Sequence, residues 1–400
     1  MSCRPLCTIA AIISFSSMLL GSPTATAQAE ENLVDLGAVA PGLGINNSGE
    51  VVLQNYIYSA GALTAFPSGF TGAAINASGE VAGTLPNGDA AAVYLNGTVT
   101  NIPTPSQTLE QLADFQGVGI NDSGQVVVDY FTENTDFIAY SYLYNNGTLS
   151  QIPGFGCGGD ADVTPAAIND SGQITGSAAV PAGCQYFDGY GYAFLYDANT
   201  TVMTNLGIVG GGYAINASGE VTGLAIMPTN SGQGDEGTAA AFLYSNGKVT
   251  LLPGTSNAFA PDGTNCTGYG INSSGSIVGT CSGYAFFYNG NTVDLNTLVL
   301  STDPLKPYVT LTDARGINDS GLIIVNGVDS RDKLNHAYLF QVSSGSSGSS
   351  SAGGSKGGGI FDLFSLSFLI GMLALRRKRR ATAGVPVKLP GPEKLRARVR

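Results

Sequence analysis

One histidine, His336, serves the whole chain of 400 residues. Four cysteines, Cys157, Cys184, Cys266 and Cys281, lie downstream of the first 27 residues. These few groups bound the chemistry. Outside the Gly/Ser-rich stretch near the C-terminus no G-x-S-x-G is present, and His336 sits in an apolar, strand-like run, so no catalytic residue is assigned. No C-x-x-C spacing is present and His336 is far from every cysteine, so disulfides fit better than zinc and no metal ligand is assigned. Each cysteine pair brackets one short Ile-Asn segment, which predicts the bonds 157–184 and 266–281 in an oxidising compartment. The 29 acidic residues leave open a carboxylate pair of the glycosidase or lyase type, but they are scattered and many fall in turns. No cofactor is assigned. Calcium stays open at Gly156–Val163 and Gly232–Gly237, although neither matches the EF-hand calcium loop. "GIVGGG" at Gly207–Gly212 lacks the strand-to-helix setting of a dinucleotide site and reads as a turn. Tyr186, Phe187, Tyr190 and Tyr192 form an aromatic patch that could stack on sugar or peptide.

Something must hold these groups, and the chain writes it seven times. The pattern I-N-x-S-G places asparagines at 46, 76, 121, 169, 216, 272 and 318, with spacings of 30, 45, 48, 47, 56 and 46. A period near 45 without long helical stripes is that of four-stranded propeller blades. Each copy decodes as two hairpins. "YAIN" is a strand, "NASG" a type I turn and "EVTG" the return strand. An apolar strand follows, such as Tyr192–Tyr196, Ala240–Tyr244, Tyr284–Tyr288 or Ala337–Phe340. Asn-Gly at 96–97, 146–147, 246–247 and 289–290 then predicts a type I′ turn into a fourth strand. The repeated asparagines therefore read as structural.

The last copy ends after its third strand, while Leu33–Leu36 resembles an orphan fourth strand. Pairing Leu33–Leu36 with Ala337–Phe340 would close the ring and remove both sheet edges. The expected fold is all-β: a propeller of seven four-stranded blades over residues 28–342, closed by the N-terminal strand. The short first copy leaves six blades as the alternative.

The turn and the apolar strand resemble the bacterial extracellular repeat family named for its His-Ala-Phe triplet, over roughly Leu33–Val342. Here only His336-Ala337-Tyr338 keeps the histidine; other copies carry Tyr or Ala. The resemblance implies an architecture and an extracellular address, and the family's biochemical role is poorly defined.

The ends supply addresses. Arg4, the apolar run Leu6–Leu20 and Ala25-Thr26-Ala27 read as a secretory signal over residues 1–27, cut after Ala27, with Ala29 as the second choice. Ser22 stands where a lipoprotein signal needs Cys. Residues 343–359 form a Gly/Ser-rich linker. Ile360–Leu375 is apolar over 16 residues, short of the roughly 20 of a straight membrane helix. Arg376–Arg380 would hold its end in the cytoplasm, so residues 360–380 read as a C-terminal transmembrane segment and 381–400 as a basic cytoplasmic tail. The tail resembles the GlyGly-type C-terminal sorting signal, with Gly353, Gly354, Gly357, Gly358 and Gly359 ahead of the helix. That resemblance implies a rhomboid-type sorting protease as partner and a cell-surface destination in a Gram-negative bacterium. Such signals usually stop soon after the basic cluster, whereas this chain runs on, which keeps a plain membrane anchor open.

Between Gln28 and Ser355 only five basic residues face 27 acidic ones, a balance near −22. That surface repels nucleic acid. The sequence thus reads as an exported, surface-displayed or membrane-tethered binding module for an extracellular glycan or protein. The rival is an extracellular hydrolase or lyase using rim carboxylates; a purely structural envelope component is the third reading.

Overall fold

A computed structural model describes residues 32–86, 90–104, 112–132, 139–155, 163–179, 191–228, 237–258 and 265–342. The signal segment with Ala27, the linker glycines, the apolar segment and the basic tail lie outside the described residues, as do Cys157, Cys184, Tyr186, Phe187 and Tyr190. No helix among the described residues is long and apolar enough to cross a membrane.

The described residues are all-β apart from a four-residue helical turn, Leu295–Leu298. Each Ile-Asn copy builds one four-stranded antiparallel unit. The first is complete despite its short length: Gly42–Ile45, Val51–Leu53, Tyr56–Ser59 and Ala62–Ala65 pair in sequence order. It is short because two residues, Gln54 and Asn55, join its second and third strands. Units four and five share the strand Val202–Ile215 and so form one eight-stranded sheet. "GIVGGG" is therefore not a turn. It is the crossing point inside that strand, where Gly207 and Gly210 take φ of 74° and 129°, values that side-chain-bearing residues avoid. The last unit takes its fourth strand from the other end of the chain: Leu33 pairs with Phe340, Val34 with Leu339, and Asp35 with Tyr338.

The seven first strands touch one another in a closed circle, so they surround a central axis. The asparagine turns bind that circle. In every unit the Asn Oδ1 accepts the backbone N–H two and four residues on, as at Asn169 from Ser171 (3.1 Å) and Gln173 (2.9 Å). Each Nδ2 then donates to the backbone carbonyl of the next unit's asparagine. The relay runs 46→76→121→169→216→272→318 and returns from Asn318 to Asn46, at 3.0 to 3.2 Å throughout. Seven copies thus form seven blades in a closed ring.

Small residues let blades approach. A Cβ on Gly72 would lie 2.7 Å from Val52 of the preceding blade, and one on Gly212 or Gly268 would lie 2.1 Å from the hydroxyl of Thr175 or Thr222. The second strands need glycine for a related reason. At Gly83, Gly176, Gly223 and Gly279 a Cβ would sit 1.9 to 2.2 Å from a first-strand carbonyl oxygen. Apolar side chains fill the layers between blades: Val127, Leu143, Ile174 and Phe194 at one junction, and Leu33, Val278, Leu311 and Tyr338 at another. Of the four Asn-Gly turns, those at 96, 146 and 246 have positive φ at both residues. Asn289-Gly290 does not, because three residues rather than two separate its strands.

Asn169→Ala should cost about 2–3 kcal/mol, because two backbone N–H groups and the Asn216 carbonyl lose partners at once. Asn291→Ala, at an exposed turn, should stay within about 0.5 kcal/mol. Chemical denaturation of the two variants measures the difference, and equal losses would remove the relay's structural role.

Candidate functional site

Catalysis would need uncommitted polar groups, and the repeated ones are committed. Every Ile-Asn asparagine is nearly buried and bonded on both side-chain atoms. A second belt joins neighbouring turns outside them: Asp122 accepts from the Ala77 N–H, Asp170 from the Asp122 N–H, and Asp319 from Ser273 and Asn47. Burial pushes the Asp319 carboxyl up, but hydrogen bonds from Ser273 and Asn47 together outweigh it and hold the group below its usual range.

His336 lies where the chain closes on itself. It sits on Leu334–Gln341, beside the N-terminal strand that carries Asp35. Its Nδ1 is 2.9 Å from Asp35 Oδ1, and its Nε2 is 2.9 Å from Asp332 Oδ2. Both carboxylates are acceptors, so the arrangement suits an imidazolium donating twice. Burial disfavours the charged ring, but the hydrogen bonds and charges of Asp35 and Asp332 outweigh it and raise the pKa. Behind the ring, Asp329 is 1% exposed and paired with Arg331, whose guanidinium lies over Tyr308. Tyr338 stacks on His336 and is fully buried, with its pKa raised first by burial and then by Asp35 and Asp329. Asp35, Asp329 and His336 hold donor atoms within 4.8 Å of one another, a spacing metal ligands use. Arg331 pairs with Asp329 while the imidazole bridges Asp35 and Asp332, so the group works as a clasp between the two ends of the ring.

A different set of residues faces the axis. In all seven first strands the register slips at the residue three before the asparagine. Each slip is a β-bulge, a device that re-aims one side chain. The bulged residues are Leu43, Ala73, Val118, Ala166, Tyr213, Tyr269 and Arg315. The flanking glycines at 42, 72, 117, 212, 268 and 316 lie against adjoining blades, whereas every bulged residue is exposed or half-buried. Four are apolar. The other three stand on consecutive blades and touch: the Tyr213 and Tyr269 rings are 5.7 Å apart, and the Arg315 guanidinium lies 4.1 Å from the Tyr269 centroid. Asp313 binds Arg315 Nε. Tyr213 is 39% exposed, yet burial in the surrounding wall still raises its pKa, with Tyr269 adding to the effect. Sequence reasoning missed this set; aligning the repeats and reading the third residue before each asparagine would have found it.

The sequence-predicted patch fares differently. Tyr192 is 6% exposed inside its sheet, paired with Ala178 and Val209, so it offers no open ring face. For Tyr192 this corrects the expectation of an exposed aromatic, because its register sets it between two neighbouring strands; the other three residues of the patch lie outside the described residues. The bond Cys266–Cys281 is formed. The connections between second and third strands, and from each fourth strand to the next blade, all leave from the end opposite the asparagine turns, a consequence of strand direction. The turn Ser330–Lys333, with its clasp residues, is one of them.

Asp129 is a further isolated group. It is 5% exposed on Val126–Thr132, between Gln116 and Ser141 in register, and among the described residues it accepts the Tyr130 N–H alone. Burial raises its pKa from 3.8 to about 7, with the Tyr130 hydrogen bond opposing.

No protein-family model matches the chain. No curated protein matches it either. Solved structures are similar at low scores. Virginiamycin B lyase from Staphylococcus aureus is 13% identical, covering 78% of this chain and 100% of that one, with a TM-score of 0.41. YCF48 bound to D1 peptide is 9% identical, covering 78% and 96%, with a TM-score of 0.42. The β-propeller domain of the Trilobed protease from Pyrococcus furiosus is 9% identical, covering 75% and 95%, with a TM-score of 0.42. The fold stands on this chain's own strand pairing.

Two pH profiles follow. A raised folded pKa at His336 means that its stabilisation is present in full below about 6.5 and is lost as pH rises through the higher folded value. Asp35→Asn should flatten that alkaline decline in Tm; parallel profiles would remove the clasp. At Asp129 stability is lost as pH rises from 3.8 through about 7. Asp129→Asn should therefore be more stable than the parent at pH 8, by up to about 4 kcal/mol in denaturant titration, with the gain gone at pH 4.

Proposed function

We propose that this chain is an exported binding module, displayed at the cell surface or tethered in the membrane by its C-terminal segment, and that it does not catalyse. One observation carries the reading: the polar groups that recur in every blade are spent on the ring itself, while the connections of variable length gather at one end of it. A rigid ring that presents variable connections on one face suits recognition. The sole imidazole is held between two carboxylates at the closure rather than beside a nucleophile. The His-Ala-Phe-type repeat and the GlyGly-type signal support the extracellular address, with a rhomboid-type protease as the processing partner. The ligand is an extracellular glycan or protein, and the acidic body disfavours nucleic acid.

Asp129 favours the second reading, an extracellular hydrolase or lyase. A buried carboxyl that holds its proton near neutrality has the property a general acid needs. The test is a glycan and peptide binding array run beside a hydrolase and lyase screen, each with calcium and with a chelator. Saturable binding with no turnover is the expected result. Turnover abolished by Asp129→Asn in a protein that still folds would replace the module with an enzyme.

A further inference from the structure

The axial triad has the makings of a site that the rim loops do not supply. Three bulges on consecutive blades deliver two phenol rings and one guanidinium to the same wall. Their order matters. Tyr213 is exposed, and Tyr269, on the blade between the other two, touches both Tyr213 and Arg315. Arg315 gives only its Nε to Asp313; its terminal N–H groups have no partner among the described residues, and the side chain is 36% exposed. A guanidinium seated over an aromatic ring, whose terminal N–H groups meet no acceptor among the described residues, is placed to grip a planar anion through two parallel hydrogen bonds. The other four bulged residues, Leu43, Ala73, Val118 and Ala166, are apolar and bring no side-chain acceptor of their own.

We propose that Tyr213, Tyr269 and Arg315 form a binding site for a carboxylate borne on a six-membered ring, aromatic or sugar, with the carboxylate on the Arg315 fork and a face of the ring against Tyr213. The proposal deepens the binding-module reading and rests on it. Charge selects a single carboxylate over a phosphate dianion, because Asp313 already neutralises part of the arginine and the body around it is strongly acidic. The ring is stacked by Tyr213, which offers its open face at low entropy cost. Two sources carry this chemistry, an aromatic acid and a uronic acid.

The test is calorimetric titration of the full-length protein with benzoate and with glucuronate, against the uncharged partners benzyl alcohol and glucose. Binding of at least one acid, with Kd on the order of 1 mM or tighter, and none of its neutral partner is expected. Binding of benzoate alone assigns the site to aromatic acids, and of glucuronate alone to acidic sugars. Arg315→Lys keeps the charge and loses the fork, and should weaken binding at least tenfold. Tyr213→Ala changes an exposed residue and should weaken binding severalfold with an unchanged melting curve, so the proposal remains testable if the arginine variant unfolds. No binding of either acid, or affinity untouched by both variants, overturns it. Array binding at the rim that survives such a result would leave the module reading standing and remove only the axial site.

Discussion

A side-chain amide that donates to the next blade's backbone is the interaction on which this molecule depends. A blade alone leaves its first strand open to the axis, and apolar packing between blades is not directional. The asparagine relay supplies direction. Each turn is shaped by its own Oδ1, and the same amide fixes the neighbouring turn through Nδ2. Local folding and blade placement are thus settled by one residue. The supporting partner varies without disturbing the relay: Glu50, Glu80, Gln125, Gln173 and Glu220 accept from Nδ2, whereas Ser276 and Leu322 stand there in the last two blades. In those two, Ser274 and Ser320 donate to the asparagine Oδ1 instead.

Much of this was legible in the residues. The period announced the blades, and the missing last strand announced the exchange of Leu33–Gly37 for it, because an unpaired edge is a cost the sequence must remove. The Cys266–Cys281 bond followed from the way the two residues flank one hairpin. What stayed hidden was the bulge. A strand with one extra residue looks like any other when read as alternation, so Tyr213, Tyr269 and Arg315 passed as ordinary strand residues. Tyr192 misled in the opposite direction: proximity to a loop in sequence suggested exposure, and the register with Ala178 buried it. The crossing of "GIVGGG" was misread for the same kind of reason, since a glycine run signals freedom of the backbone but not which way the chain uses it.

The division of labour between the two ends of the ring has a physical basis. Turns of fixed length sit where the relay demands identical geometry, so they cannot carry recognition. The opposite end has no such demand, and length varies there. The axial wall lies between these regimes. Its backbone is fixed by the bulges, while its side chains are free to differ, and the aromatic and charged ones gather in one sector.

Each blade presents both halves of the joint, an amide that gives and a carbonyl that receives, in the same rotational sense. Such a joint has no privileged starting unit. Duplicating one coding repeat would insert a link already matched to whatever lies on either side, and deleting one would leave no mismatched seam. Circumference in this architecture is therefore a quantity that gene duplication can adjust by whole units. The packing angle between sheets, rather than the pairing of turns, would set how many the circle accepts.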